Sequence, residues 1–290
     1  MKIAMESYPL TKYFDEATGY KLVKQAGFDG VDLSQFYGVV DLLNENYREK
    51  AKETRRLLDE AGLICVQSHA PFYLKEKPEF PGFRYGMNMD LSEPGFLALV
   101  RSMEYAAIAG APQIVVHGIQ VPSGSRTSES WDYNYKFYKA LAPYAKKFGI
   151  KIAVENLGRE CFPTPVMHSE MLRRLDDPET FCACFDMGHS FLCFVRPQDF
   201  LRDMPRGMVQ ALHVHDNFGT QDNHLLPGHG KLKWEEITKA LAEIGYDGYF
   251  TLEVPGYWPA FTAEEMPDAI ALAAKVARKL ADKVEAYRDA

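Results

Sequence analysis

The feature that most constrains this chain is a set of short apolar runs that each end at a histidine, an aspartate or a glutamate. Six such runs occur, and they read CVQSH, IVVH, IAVE, CACFD, QALH and YFTLE. Short apolar runs with these residue types are typical of buried β-strands. Polar residues so far apart in sequence meet when parallel strands close into a (β/α)8 barrel, because the carboxyl ends of the strands converge on one mouth. The pattern therefore predicts a barrel with a polar site at that mouth.

Strand-like and helical patterns alternate along the chain, as a parallel sheet with crossover helices requires. The length of 290 residues is close to that of one such barrel, and no linker or low-complexity tract divides the sequence. We therefore predict a single α/β domain over residues 1–290, a (β/α)8 TIM barrel. The predicted strands are Lys2–Met5, Gly30–Leu33, Leu63–Ser68, Gln113–Val116, Lys151–Val154, Cys182–Phe185, Val209–Val214 and Gly248–Leu252. The helical patterns include Tyr47–Ala61, Pro94–Ala109, Tyr133–Phe148, Trp234–Ile244 and Ala263–Ala286.

Alternation along the predicted strands turns the terminal polar residues toward the inside of the barrel. In the fifth strand, Glu155 shares a face with Ala153 and lies opposite Val154. The sixth and eighth strands repeat this arrangement for Asp186 and Glu253, with their bulky apolar residues on the opposite face. That apolar face is expected to pack on helices, so the three carboxylates should point into the barrel.

The charge and the composition of the chain argue against nucleic-acid and membrane partners. Acidic residues number 40 against 33 basic ones, which gives a net charge of −7 and argues against a protein that grips nucleic acid through phosphates. We expect no membrane partner, because no window is apolar enough to span a bilayer and MKIAMESYPL lacks a signal-peptide pattern. The five cysteines are odd in number, and alternation predicts Cys182 and Cys184 as small fillers of the barrel interior. A reduced, cytoplasmic protein is the simplest interpretation.

The terminal residues of four consecutive predicted strands are of metal-binding types. Glu155, Asp186, His213 and Glu253 end the fifth to eighth strands, where they could surround one ion. Carboxylates with an imidazole favour Mn²⁺ or Zn²⁺, with Co²⁺, Fe²⁺ or Mg²⁺ as alternatives. Five more residues could complete a second or third ion site or bind substrate. These are His69, His117, His189, Asp222 and His224.

Other candidates have weaker patterns. His215 shares a face with His213 and is either an alternative ligand or a substrate contact. Phe72 and Trp258 lie in predicted loops at the mouth, where they could stack on a sugar ring or serve ordinary loop packing. We predict His168 as an exposed helix residue and His229 as a structural residue of a glycine-rich turn, with a contact at the rim of the mouth as the alternative for His229.

At these positions the chain resembles the xylose isomerase-like TIM barrels. This superfamily, which includes AP endonuclease family 2, is shared by sugar epimerases, inosose dehydratases and endonuclease IV. The resemblance covers nearly the whole chain and is specific to the superfamily rather than to one reaction. The motifs that carry it are SHAPF, VVHG, VENL, CFDMGHS, HVHDN, DNHLLPGHG and FTLEV.

The resemblance implies roles for the matching residues. In the sugar epimerases, Glu155, Asp186, His213 and Glu253 would bind one divalent ion, both glutamates would act as acid and base, and His189 would contact a substrate oxygen. In endonuclease IV the full set of nine would match a three-zinc site. The chain departs from the ketose 3-epimerases at two points. Those enzymes carry a substrate-binding arginine near the position where this chain has His224. They also carry a second glutamate shortly after the metal-binding one, and Glu160 is the one nearby candidate for it here.

These observations favour a metal-dependent isomerase or epimerase of a sugar, sugar phosphate or polyol. It would abstract a proton next to a metal-bound carbonyl and proceed through an enediolate. Three alternatives remain at this point: a lyase or dehydratase on a keto-sugar or keto-polyol, an endonuclease IV-like zinc phosphodiesterase on abasic DNA, and a barrel kept as a binding module. The expected partner is a small carbohydrate, and the sequence leaves open whether the chain forms a homo-oligomer.

Overall fold

Eight parallel strands form the predicted barrel. We describe the fold from a computed structural model, which places residues 1–35, 41–72, 84–122, 125–158 and 161–289. Neighbouring strands pair in parallel in the order β7-β6-β5-β4-β3-β2-β1-β8. A parallel bridge between Val214 and Leu252 joins β7 to β8 and closes the sheet on itself. The strands are β1 Ile3–Glu6, β2 Gly30–Ser34, β3 Ile64–His69, β4 Gln113–Val116, β5 Lys151–Glu155, β6 Phe181–Asp186, β7 Val209–His213 and β8 Phe250–Leu252.

The predicted strand ends are shifted by about one residue at several positions. His69, Glu155 and Asp186 are themselves the last residues of β3, β5 and β6, because their backbones still pair with the neighbouring strands. The eighth strand is shorter than predicted and begins at Phe250. The polar side chains therefore project from the rigid sheet rather than from the loops that follow it.

Helices surround the barrel in the positions that the sequence pattern predicts. The fifth helix begins at Thr127 instead of Tyr133, because Arg126 and Glu129 cap a first turn that carries little apolar periodicity. The last helix begins three residues later than predicted, after a turn that Thr262 and Glu265 close by hydrogen bonds. The helices are α1 Tyr8–Tyr13, α2 Glu16–Ala26, α3 Tyr47–Ala61, α4 Pro94–Ala109, α5 Thr127–Phe148, α6 Pro165–Leu175, α7 Met187–Leu192, α8 Pro197–Asp203, α9 Trp234–Glu243 and α10 Met266–Arg288.

The core has two parts. The larger part lies between the outer face of the sheet and the helices, while a small cluster of compact residues fills the barrel interior. Cys182 and Cys184 belong to this inner cluster and are buried, which confirms their prediction as fillers. None of the helices in the described ranges has the length and apolar composition needed to cross a membrane.

His168 corrects one prediction. The sequence predicts an exposed helix residue, but the side chain is completely buried and its Nε2 lies 2.9 Å from the carbonyl oxygen of Val154. The residue lies on the face of α6 that also buries Met171, Leu172 and Leu175, so helical spacing places it against β5. A polar side chain on a buried stripe needs a hydrogen-bond partner, and the strand carbonyl provides one.

We expect His168 to make the protein sensitive to acid. Burial lowers the pKa of His168 to about 4, well below the usual histidine value, although the hydrogen bond to Val154 opposes this. The unfolded chain therefore takes up this proton first as the pH falls, and the stability present above pH ~6.5 is lost toward pH ~4. Between pH 7 and 5 the loss should be about 2 kcal/mol.

Urea unfolding of the protein and of the His168→Gln variant at both pH values measures this contribution. Glutamine keeps a hydrogen-bond donor but does not titrate in this range. The variant should lose less stability than the unchanged protein between pH 7 and 5. Equal losses in the two proteins would show that His168 is not the responsible group.

Candidate metal centre

Four predicted ligands meet at the mouth of the barrel. Glu155, Asp186 and His213 end β5, β6 and β7, and Glu253 follows β8 directly. Each residue offers one oxygen or nitrogen atom, and these four atoms all lie within 4.8 Å of one another. We call these four residues the central quartet. Their strand origins explain the convergence, because β5 to β8 end at one mouth: Asp186 pairs directly with His213, and Glu155 pairs with Cys184, two residues before Asp186 on the same face.

His213 stands in the middle of the central quartet. Its Nδ1 lies 3.1 Å from Oε1 of Glu155, 3.3 Å from Oε2 of Glu253 and 3.9 Å from Oδ2 of Asp186. All four side chains are buried, and Glu253 is the most exposed at 8%. Three carboxylates at such short range repel one another, and a buried anion needs a compensating cation.

Protons supply that compensation in the metal-free protein. Burial disfavours the charged forms, but the opposite charges outweigh it and raise the pKa of His213 well above the usual value. The same competition between burial and the charges of His117 and His213 lowers the pKa of Glu155. The pKa of Asp186 is also lowered, against burial, by the charges of His189 and His215. The cluster therefore presents ionised carboxylates around a position that favours positive charge.

A second group lies beside the central quartet. Oδ2 of Asp222 lies 3.1 Å from Nε2 of His189 and 2.9 Å from Nε2 of His224. We call these three residues the outer triad. Burial alone would lower the pKa of His224, but the hydrogen bond to Asp222 and the charge of Glu253 raise it to about 10. The backbone of His224 is left-handed, with φ of 45°, and its carbonyl accepts a hydrogen bond from the Gly256 amide.

His69 and His117 extend the cluster on the other side of Glu155. The Nε2 atoms of these two histidines lie 3.1 Å apart. Oε2 of Glu155 lies 2.9 Å from Nε2 of His117 and 3.6 Å from Nε2 of His69. The structure thus brings all nine predicted residues into one continuous cluster. Within the described ranges, three groups of side chains have spacings that could hold a metal ion: the central quartet, a group that shares two of its members and adds His69, and a separate group of the outer triad with His215.

A cavity of about 1070 Å³ opens above this cluster. Phe72 lines it and stacks on His117, with ring centroids 5.2 Å apart. Arg84 also lines it and pairs with Glu93. The predicted residues that line the cavity are His69, Phe72, His117, Glu155, His189, Asp222, His224 and Glu253.

Two predicted substrate contacts are placed elsewhere. Trp258 is 2% exposed, and its indole N–H donates to Oε1 of Glu6 in the core, because a short 3-10 turn directs the ring inward. His215 is fully buried beneath the mouth, where its Nε2 lies 3.0 Å from Oδ1 of Asp186 and its ring stacks on His224. Neither side chain is among the cavity-lining residues of the described chain. His229 lies in a turn with Nδ1 3.2 Å from the Leu226 carbonyl, and Glu160 lies outside the described residues.

Sequence reasoning missed three polar residues beneath the mouth. Asp32 in β2 lies 3.3 Å from Nε2 of His213, and Glu6 ends β1 with a buried side chain. Burial, together with the charge of Glu253, raises the pKa of Glu6 to about 8. The side chain of Asn156 exchanges two hydrogen bonds with the backbone of Asp186 and fixes its position. Alternation in β1 and β2 could have found Glu6 and Asp32, because both fall on the inward face.

Gly188 leaves the space that His215 occupies, and we expect its replacement by alanine to damage the site. A Cβ at this position would lie 1.9 Å from Cε1 of His215, so the imidazole would be displaced from Asp186. Overpacking of this kind costs about 1–3 kcal/mol. Urea unfolding of the Gly188→Ala variant measures the loss. Gly158→Ala is the matched control, because its Cβ would meet only the Cys193 sulfur at 3.9 Å. Equal stability of the two variants would contradict this account.

Comparison with known proteins identifies similar sequences. The family model described as xylose isomerase-like TIM barrel matches residues 20–280. The 2-oxo-tetronate isomerase of Haemophilus influenzae is 26% identical over 212 residues, which cover 71% of this chain and 79% of that protein.

Solved structures show the same fold. The crystal structure of a D-tagatose 3-epimerase-like protein has a TM-score of 0.73 and 21% identity, covering 100% of this chain and 99% of its own. The IOLI protein, whose crystal structure has a bound zinc atom, has a TM-score of 0.75 and 17% identity, with 99% of both chains covered. At these identities the likeness establishes a common architecture.

Proposed function

Because this chain belongs to the xylose isomerase-like TIM barrel family, we propose that it is a divalent-metal-dependent isomerase or epimerase of a sugar or polyol. One observation carries the proposal: the central quartet gathers two glutamates, an aspartate and a histidine around one point beneath an open cavity. The name of the Haemophilus influenzae relative, 2-oxo-tetronate isomerase, supports the same reaction class.

The chemistry of the central quartet fits a divalent cation. Three buried carboxylates and one imidazole offer oxygen and nitrogen donors within 4.8 Å of one another. This donor set favours Mn²⁺ or Zn²⁺ over Ca²⁺, which takes oxygen ligands alone. When bound, the ion would polarise the carbonyl of the substrate and acidify the neighbouring C–H bond.

Glu155 and Glu253 would carry the proton. Both line the cavity and approach the same nitrogen of His213, at 3.1 Å and 3.3 Å, Glu155 from the end of β5 and Glu253 from the residue after β8. The lowered pKa of Glu155, which His117 and His213 cause against the effect of burial, keeps it ionised and able to accept a proton. We assign proton removal to one glutamate and proton return, at the same carbon or the next one, to the other.

His189 and His224 would hold substrate hydroxyl groups. Both imidazoles line the cavity and share Oδ2 of Asp222, which fixes the orientation of their rings. Phe72 would offer an apolar face above His117 for the carbon skeleton of the substrate. Polar groups at one wall and an aromatic face at another are typical of carbohydrate-sized ligand sites.

Proton exchange with solvent tests this function across a range of substrates at once. The purified protein, loaded with Mn²⁺ or Zn²⁺, is incubated in D₂O with a panel of ketoses, ketose phosphates and keto sugar acids. Mass spectrometry and NMR should detect deuterium at the carbon next to the carbonyl and a new isomer or epimer. The chelator-treated protein is the control. Absence of exchange across the panel would overturn the proposal, and exchange with loss of water or another leaving group would assign a lyase.

A second candidate function has a specific observation in its favour. The outer triad forms a metal-compatible group with His215, and His69 and His117 both approach Glu155, so donors for two further ions lie beside the central quartet, as a three-zinc phosphodiesterase on abasic DNA would require. The net charge of −7 opposes nucleic-acid binding. Elemental analysis decides between the two, because about one ion per chain favours the isomerase and three zinc ions with nicking of abasic duplex favour the nuclease.

A further inference from the structure

A carboxylate contacts the histidine of the central quartet on the side of the ring that faces away from the two glutamates. Oδ2 of Asp32 lies 3.3 Å from Nε2 of His213, on the side of the ring opposite to Nδ1. Nδ1 faces Glu155 and Glu253. The two nitrogens of one imidazole therefore have distinct environments, and only Nδ1 faces the position where the quartet atoms converge.

Asp32 is itself fixed in place. The side-chain amide of Gln67 donates to Oδ2 of Asp32 at 2.7 Å and to the carbonyl of Leu212 at 3.3 Å. Leu212 directly precedes His213, so Gln67 ties the carboxylate to the backbone that carries the imidazole. Asp32 is 1% exposed, and its Oδ1 has no hydrogen-bond partner among the described residues. A buried carboxylate with one unsatisfied oxygen is costly, which points to a role other than packing.

We propose that Asp32 is a positioning residue that keeps one proton of His213 on Nε2, so that Nδ1 is the nitrogen that gives up its proton and binds the metal. A neutral imidazole that binds a metal through one nitrogen carries its proton on the other. A carboxylate that accepts a hydrogen bond from this N–H selects the tautomer, fixes the ring and makes the ligand nitrogen more basic. The inference rests on the metal site of the proposed function. It adds a residue, Asp32, that orients His213, the one nitrogen ligand of the central quartet.

Two substitutions separate the charge of Asp32 from its hydrogen bond. Asp32→Asn keeps the size and an acceptor oxygen but removes the negative charge. Asp32→Leu removes both at similar volume. Partners of this kind contribute about 10–100-fold to metal affinity. We expect the dissociation constant for Co²⁺ and Zn²⁺ to rise about 10-fold in Asp32→Asn and about 100-fold in Asp32→Leu.

A matched control tests whether any buried polar group would behave in this way. Gln113 also points into the barrel interior, but it begins β4 at the opposite end, where its amide donates to the Gln210 carbonyl at 2.9 Å. The Gln113→Leu variant should therefore bind metal as the unchanged protein does. A purely structural role for Asp32 would lower resistance to urea in the metal-free protein and leave metal affinity unchanged.

The experiment is a competition titration of chelator-treated protein with Co²⁺ or Zn²⁺ against a chromophoric chelator. The visible spectrum of bound Co²⁺ provides a second readout, because loss of a nitrogen ligand changes its band positions and intensity. Weaker binding and an altered spectrum in the Asp32 variants, with Gln113→Leu unchanged, would support the inference. If the unchanged protein binds tightly and both Asp32 variants bind within twofold of it, the inference is wrong and the proposed metal site stands.

Failure of the unchanged protein to bind metal would contradict the proposed function as well as the role of Asp32. If the unchanged protein binds neither Co²⁺ nor Zn²⁺, the metal site of the proposed function fails together with the role of Asp32. If Asp32→Leu does not fold, Asp32→Asn still decides the question, because it is nearly identical in shape to aspartate. In that case, if Asp32→Asn binds metal with a dissociation constant within twofold of the value for the unchanged protein, the inference that the Asp32 carboxylate prepares His213 is wrong.

Discussion

Turnover should fall by about 10²- to 10⁴-fold when Glu155 or Glu253 is replaced by glutamine, because general acid–base groups contribute rate factors of this size. Glutamine keeps the shape of glutamate but cannot accept or deliver the proton. Each glutamate also belongs to the central quartet, so each substitution should weaken metal binding as well. Measuring kcat at saturating metal separates loss of the ion from loss of proton transfer.

Glu179→Gln provides the control for these two substitutions. Glu179 is exposed and lies just before β6, at the end of the barrel remote from the mouth. Its replacement should leave kcat unchanged. Normal activity in both Glu155→Gln and Glu253→Gln would show that the proposed proton transfer is wrong, whatever metal the protein contains.

Metal binding should stabilise the fold strongly, which is the second large effect we expect. Three buried carboxylates of the central quartet lie at short range, and a divalent ion would neutralise their repulsion. A ligand present at about 1,000 times its dissociation constant adds about 4 kcal/mol. For a domain of this size that corresponds to a rise in Tm of roughly 8–16 °C. Thermal unfolding with and without a chelator, at graded concentrations of Mn²⁺ and Zn²⁺, measures the shift.

We expect the stabilisation by metal to increase as the pH rises. Opposite charges raise the pKa of His213 well above the usual value and that of His224 to about 10, although burial opposes both shifts. In the metal-free protein the stability that their protonation contributes is fully present below pH ~6.5 and is lost as the pH rises through the raised values. A metal must displace protons from its ligands, so affinity should increase from about pH 6 to about pH 8. The Asp186→Asn variant should show a smaller metal-induced shift, and a Tm indifferent to metal in the unchanged protein would contradict the metal site.

The barrel and the convergence of the six polar residues at or directly after its strand ends follow from sequence because one physical rule governs both. Parallel strands of a closed sheet end at one mouth, and alternation decides which side chains face inward. Glu155 and Asp186 end buried apolar strands, so their positions follow from a pattern of period two. No tertiary information is needed for that step.

Other residues depend on contacts that are distant in sequence. Asp32 matters because Gln67 contacts it from the neighbouring strand and His213 contacts it from across the barrel, and neither partner is close to it in the chain. Trp258 follows β8 in sequence, yet the direction of its ring depends on the 3-10 turn and on Glu6. The prediction for His168 is wrong for a simpler reason, since its polarity favours exposure whereas its helical face is the buried one.

At His224, the strain of a left-handed backbone coincides with a stabilising side-chain pair. An L-residue other than glycine or asparagine in this region carries a strain of about 1–2 kcal/mol. Glycine would relax that strain, and it would also remove the imidazole that pairs with Asp222. The raised pKa of His224 means that this pair stabilises the fold at neutral pH, so relief of the strain is set against loss of the pair. Thermal unfolding of the His224→Gly variant at neutral pH, compared with the unchanged protein, would reveal which of these two effects is larger and so how much strain the mouth tolerates.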